Sequence, residues 1–484
     1  MRWPSIFLAA IIIFVVAVQF SIYLSSLWPY MSQIDKSADQ TFYGFTLAAF
    51  SAGQMCASPL FGYVSNRLKR TAPIVAVGIC FSTAGNMVYI FTESFPSNQK
   101  WVILSARALG GVGAGITGVL RAYIATGSTP KCKTRAIAIG TMGLSLGVTA
   151  GPVVQACVTP LGYPGYTAGP IHFNQYTAPA YISVAAAMVS LVLLLAIFKE
   201  NTIGIDTRKE TDPFHYVPKY DMTAALICIL AWFSFAFAIT NGDTVETPYT
   251  MAVFGWSNSQ AVFNNSMIMT ASSTITFLIY VGIAIFGQRL NERVGASIGL
   301  AFLGVFYITT FPWPFFTGNL VPETSSSPGT NFTPPASPVT STLAVSTTSD
   351  DNESGCHAEW CNYTPKLPLL VYLIFYPFFS VGLPFAQVAL STLFAKILGP
   401  RRQGFMQSLM TMVGSGARML GPILISWLFD KYGPRVAWTM TTCAISFGII
   451  GIMVCYGRLV PLNMKPKLRS GDKIDYDGGK LYRF

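Results

Sequence analysis

Three arginines, Arg107, Arg121 and Arg418, sit inside otherwise apolar segments of membrane length, against at most two embedded acids, Asp243 and Glu246. A charge in hydrocarbon costs at least about 3 kcal/mol, so such residues face a bundle interior, a partner or a water-filled path. A guanidinium cannot readily lose its proton. Each arginine must therefore meet an acid, carbonyls, water or an anion, and the excess of cations points to a pathway that favours anions. Arg418 lies near the middle of its segment, the costliest depth, where an anion contact competes with bonds to carbonyls or another partner. Arg121 is close enough to a helix end to snorkel to the interface. Arg107 precedes it by fourteen residues, which puts both within roughly 40° on one helical face. Arg107 and Asp243 have comparable depths, so a charge pair is expected between them, either static or broken and re-formed during gating. Gln54 and Glu246 are further polar positions that could contact ions, and either acid could carry a proton if cargo movement is proton-coupled.

The elements that must position these groups are helices. The chain has 484 residues, 52% hydrophobic and only 11% charged, where a soluble globular chain carries about 25% charged residues. Apolar runs long enough to span a bilayer, roughly 20 residues each, occur near 5–28, 42–65, 72–92, 101–126, 136–158, 177–198, 222–245, 261–286, 295–316, 366–393, 404–429 and 435–457. The expected fold is an all-α polytopic membrane protein of twelve transmembrane helices in two six-helix halves. The net charge of +11 first suggests nucleic acid or a membrane surface. Its distribution excludes nucleic acid: with both termini cytoplasmic, 23 of the 31 Lys and Arg fall on that side and five opposite, as the positive-inside rule requires. The first segment is too long for a signal peptide and lacks a small-residue cleavage site.

The halves are expected at 1–198 and 222–457, joined by a cytoplasmic linker at 199–221 and followed by a cytoplasmic tail at 458–484. The Ser-, Thr- and Pro-rich loop 317–365 carries sequons at Asn331, Asn352 and Asn362, on the side where glycosylation occurs. Cys356 and Cys361 share that loop and an oxidising compartment, so a local disulfide is expected. No metal-ligand spacing, cofactor motif or nucleophile–base set is present, which argues against an enzyme. The fifth segment reads Gly143, Gly147, Gly151-Pro152 and the eleventh Gly414, Gly416, Gly421-Pro422. Small residues four apart let helices approach closely, and proline bends a helix. Two matched helices of this kind at a half-to-half interface would suit a rocking transporter.

Gly62-Tyr-Val-Ser-Asn66-Arg67-Leu-Lys69-Arg70, between the second and third segments, resembles the cytoplasmic loop signature of the major facilitator superfamily. Arg107-Ala-Leu-Gly110-Gly111-Val-Gly113-Ala-Gly115 is similar to its arginine-glycine motif, and the run ending at Gly151-Pro152 to that of its exchanger branch. Asn66 departs from the pattern, which has an acid that helps latch the halves. Leu27-Trp-Pro-Tyr30, Glu359-Trp-Cys-Asn-Tyr-Thr-Pro365, Lys396-Ile-Leu-Gly-Pro400 and Gly414-Ser-Gly-Ala-Arg418 further resemble the superfamily's branch of endolysosomal membrane proteins linked to late-infantile (type-seven) neuronal ceroid lipofuscinosis. The resemblance implies helices one, four, seven and ten around a central cavity, a gate loop at Gly62, Asn66, Arg67 and Arg70, a lysosomal location and a chloride conductance. Partners are then the lipid bilayer and an inorganic anion or small solute. A proton-coupled transporter of an organic solute and a non-transporting scaffold are the alternatives. Fold alone does not choose among them.

Overall fold

Apolar segments in lipid must satisfy their own backbone, and helices do so within one segment. The computed structural model describes residues 2–38, 40–168, 171–201, 203–205, 218–256, 258–287, 291–316, 320, 359–462, 473–476 and 479–482. The first half contains α1 (Trp3–Ser21), a short α2 (Leu27–Ile34), α3 (Gln40–Leu68), α4 (Ala72–Ile90), α5 (Gln99–Ala114), α6 (Ile116–Thr126), α7 (Lys133–Val158) and α8 (Ala178–Ile197). The second contains α9 (Met222–Phe254), α10 (Asn258–Phe286), α11 (Glu292–Thr309), α12 (Leu369–Leu398), α13 (Gly404–Tyr432) and α14 (Pro434–Val454). With α5 and α6 counted as one broken span, twelve membrane-length helices lie among the described residues. Eleven are apolar enough to span by composition alone. The exception is α3, whose polar residues are turned inward: Ser51, Gln54 and Ser58 are all buried. The linker residues 206–217, Asn331, Asn352 and Cys356 lie outside the described residues.

Three boundaries differ from the sequence-based expectation. The first helix stops at Ser21 rather than near 28, and the chain turns before α2. The fourth span is interrupted at Gly115, between α5 and α6. The seventh runs on from 245 to Phe254 despite Pro248. There Val245, Tyr249 and Val253, four apart on one face, are all buried, and Tyr249 stacks on Trp438 at 4.3 Å. That packing outweighs the local penalty of an interior proline.

Helices α7 and α13 both meet the opposite half, and Gly416 faces Met55 of α3 across it, while Gly143, Gly147, Gly151 and Gly421 pack within their own half. A Cβ on Gly143 would lie 2.7 Å from the Ala10 carbonyl oxygen, and one on Gly147 2.5 Å from that of Phe14. A Cβ on Gly151 would meet the Ser21 hydroxyl at 2.0 Å. All three therefore seat α7 on α1. In the second half, Gly421 faces Asn241 and Thr240 of α9. The repeat thus reproduces one intra-half seam twice, with Pro152 and Pro422 inside continuous helices.

On the face opposite the start of α1, a hairpin of β1 (Tyr166–Ala168) and β2 (Ile171–Phe173) is tied to the end of α4. Asn174 Nδ2 donates to Glu93 Oε1 at 2.9 Å, and His172 Nδ1 lies 3.2 Å from Glu93 Oε2. On the same face Trp360 is buried against Gly433 and donates from Nε1 to the Asp430 carbonyl at 3.2 Å. Cys361 is disulfide-bonded, and Asn362 is exposed.

Gly147→Val should wedge α7 from α1, and overpacking of this kind costs about 1–3 kcal/mol. A melting temperature lowered by several degrees in detergent is the expected outcome; an unchanged value would contradict the close-packed seam.

Candidate functional site

The two halves meet along a line that starts at the face where α1 begins, here called the terminal face. Glycine makes the first contact possible: a Cβ on Gly62 would lie 2.5 Å from the Gly404 carbonyl oxygen, and one on Gly118 2.5 Å from the Ser408 hydroxyl. Asn66 Oδ1 accepts from the Gly404 backbone N–H at 2.9 Å. Gly404 is the first residue of α13, so the Asn66 side chain meets one of the donors that a helix start leaves unpaired. Thr134 Oγ1 donates across the halves to Glu292 Oε1 at 3.4 Å, and Glu292 is itself ion-paired with Lys396. Of the expected gate-loop residues, Gly62 and Asn66 touch the opposite half, while Arg67 and Arg70 are exposed.

Deeper in, one amide organises the crossing. Gln54 donates from Nε2 to the Ala114 carbonyl at 3.0 Å, beside the break at Gly115. This leaves Oε1 aimed at α13, where it accepts from Ser415 Oγ at 2.9 Å and Arg418 Nη2 at 2.7 Å. Arg418 also donates to Ser415 Oγ at 3.1 Å. Its hydrogen-bond partners among the described residues are thus neutral.

Above this crossing lies a central cavity of about 280 Å³, lined from both halves. Arg121, Arg418, Gln54 and Asp243 all face it. Arg121 makes no hydrogen bond among the described residues; its guanidinium rests on the Trp232 ring, 4.8 Å from the centroid. Arg418 lines the same cavity. A cation over an indole face is stabilised by the ring quadrupole, which lets Arg121 point into the cavity instead of snorkelling away. Phe235, Phe379 and Tyr376 add aromatic surface to the wall.

Asp243 and Glu246 are one helical turn apart on α9; Asp243 lines both the central cavity and the smaller chamber that holds Glu246. Asp243 is exposed to the central cavity and accepts no hydrogen bond among the described residues. Glu246 is buried behind it in a chamber of about 20 Å³ walled by Tyr249, Tyr307, Tyr372 and Trp438, and accepts from Tyr376 Oη at 2.9 Å.

Arg107 is not brought to Asp243. It is 4% exposed and points at the end of α1, where Nη1 and Nη2 donate to the Gln19 and Phe20 carbonyls at 3.5 and 3.2 Å. The Tyr23 and Phe50 rings flank it at 5.0 and 4.7 Å. Carbonyls in the last turn of a helix carry partial negative charge, so the early stop of α1 supplies what an acid was expected to supply. The Arg107 chamber is only about 10 Å³, too small for cargo. Sequence reasoning missed Trp232, Tyr376 and the Tyr280–Gln387 hydrogen bond on the cavity wall. Large polar-tipped aromatics at mid-depth of apolar helices were the available signal.

Residues 9–348 match the Major Facilitator Superfamily. The chain is 31% identical over 479 residues to Major facilitator superfamily domain-containing protein 8 of Xenopus laevis, covering 96% of this chain and 93% of that protein. Among solved structures, the human organic anion transporter MFSD10 (TETRAN) aligns with a TM-score of 0.64 at 14% identity, over 93% of this chain and 99% of that one. The proton:xylose symporter XylE aligns with a TM-score of 0.64 at 13% identity, over 96% and 97%. At such identities the structural likeness speaks for the fold alone.

Gly62→Leu should hold the halves apart at the terminal face. A Ser408→Cys thiol, buried in the parent because Ser408 is fully buried, should then react with a polar maleimide roughly tenfold faster, as expected when the closed population falls by that factor. Equal labelling with and without Gly62→Leu would show that this contact does not close the face.

Proposed function

Because the chain belongs to the major facilitator superfamily, we propose that it carries anions across a membrane through the central cavity, by alternating access of its two halves. The observation that carries this reading is the pair Arg121 and Arg418: two guanidinium groups open to one cavity, with no acid bonded to either among the described residues. An anion between them would complete their hydrogen bonding. Hydrogen bonds to neutral Gln54 and Ser415 orient Arg418 without cancelling its charge. In the transport cycle, Gly62, Asn66 and the Gln54–Arg418 bond separate when the terminal face opens, and Arg67 and Arg70 border that opening. The α7 and α13 helices, with Gly143, Gly147, Gly151, Pro152, Gly421 and Pro422, move with the α1 and α9 partners they pack on.

The membrane is endolysosomal and the anion chloride, as the branch resemblance implies, with the terminal face cytoplasmic. Glycans at Asn331, Asn352 and Asn362 and a Cys356–Cys361 disulfide then belong to the lumenal loop. Asp243, in the same cavity as the arginines, supports a second reading in which a proton accompanies an organic solute.

Protein reconstituted in liposomes should pass chloride in preference to gluconate. Arg418→Gln should lower that flux roughly 10–100-fold while leaving the melting temperature within a few degrees, since a charge-assisted contact contributes about 1.5–3 kcal/mol. Equal flux in parent and variant would contradict an anion path past Arg418, and is what a scaffold predicts. Enzymatic deglycosylation should also shift the expressed chain in three steps, one lost with each Asn→Gln change at the three sequons.

A further inference from the structure

The cavity has two electrically different ends. Trp232, under Arg121, and Asp243 are both on α9, eleven residues apart, which is a rise of about 16 Å at 1.5 Å per residue. Arg418 lies between them. Gly421 packs beside Asn241 and Thr240, and α9 and α13 both start at the terminal face. Asp243 is therefore about 8 Å beyond Arg418 along the bundle axis, again at 1.5 Å per residue. The Asp243 carboxylate is open to the cavity and accepts no hydrogen bond among the described residues. Between the two ends the wall carries Phe235, Ile239 and Phe379 beside the hydroxyls of Thr240 and Thr276. At about 280 Å³ the cavity is also far larger than one halide needs, a single water taking about 30 Å³.

From this arrangement we infer that the cavity binds an amphoteric organic solute: an anionic group at Arg121 and Arg418, an ammonium at Asp243, and an apolar spacer against the aromatic wall. Opposite charges attract strongly in a site shielded from bulk water. A carboxylate with no bonded partner among the described residues is complemented by an ammonium. Apolar spacers of the right length bury against the phenyl rings as the two charges dock. The inference rests on the anion reading of the arginines and narrows it.

The test is a molecular ruler applied to the full chain in lipid nanodiscs. Binding of 4-aminobutanoate, 6-aminohexanoate and 8-aminooctanoate is measured by calorimetry beside butanoate, hexanoate and octanoate. In the parent, 6-aminohexanoate should bind about tenfold more tightly than hexanoate, a difference of about 1.4 kcal/mol, and the gain from the amine should shrink for the shorter pair. Asp243→Asn should erase the gain, with hexanoate binding at least as tightly as in the parent, while Arg418→Gln should weaken both ligands. If hexanoate binds through Arg418 but the amine adds nothing, or if the gain survives Asp243→Asn, the amphoteric assignment is wrong and the anion reading stands. If neither acid nor amino acid binds the parent, the amphoteric assignment falls, and the anion reading is then judged by the chloride flux alone.

Discussion

Oε1 of Gln54 is the acceptor on which the rest of the arrangement depends. It receives Arg418 and Ser415 from the opposite half, and it is held in place because the other end of the same amide donates to Ala114. An embedded guanidinium has to be solvated, and the choice of solvating group decides what else it can do. An aspartate here would neutralise Arg418 and turn the crossing into a buried ion pair, costly to separate once formed. A neutral amide satisfies the geometry and leaves the field of the cation projecting into the cavity. The same economy recurs at Arg121, supported by an indole face, and at Arg107, supported by the carbonyls that end α1. Three cations are thus embedded with neutral partners, and two of them face one cavity.

Neutral contacts also govern the terminal face. Where the superfamily's loop signature carries an acid, Asn66 offers an amide oxygen to the first N–H of α13. A helix start favours a negative charge, typically by 0.3–1 kcal/mol at an exposed site, so an amide there closes the face less firmly than a carboxylate would. Together with the close approach allowed by Gly62 and Gly118, this gives a closed face stabilised by fit more than by charge. A contact of this kind separates without exposing an unpaired ion, which suits a seam that must open and re-form.

Much of this was legible in the sequence. Helix number, the embedded arginines and the glycine repeat are written in hydropathy and spacing, because lipid forces the backbone into helices whatever else the chain does. Gln54 was legible as a polar position, although its partner was not: 364 residues separate it from Arg418. What eluded the sequence was every choice settled by packing. The glycines announced close approach without naming the neighbour, and that neighbour proved to be α1 inside the same half. The expected Arg107–Asp243 pair rested on matched depth, yet depth along a helix does not say which way a side chain points. An early helix end, invisible in a continuous apolar run, supplied Arg107 with carbonyls instead. The long α9 was hidden by Pro248, whose penalty the aromatic packing of Tyr249 on Trp438 overrides.

The central claim is that Arg121 and Arg418 form one anion site, and Trp232, stacked on Arg121, is a built-in reporter of it. The most direct measurement is tryptophan fluorescence of the purified protein during titration with chloride and then with a small carboxylate, using Trp232→Phe to isolate the reporter's signal. The account predicts a saturable change that disappears in Trp232→Phe and in the Arg121→Gln/Arg418→Gln double variant. No saturable change in the parent, or the same change after both arginines are neutralised, would contradict it.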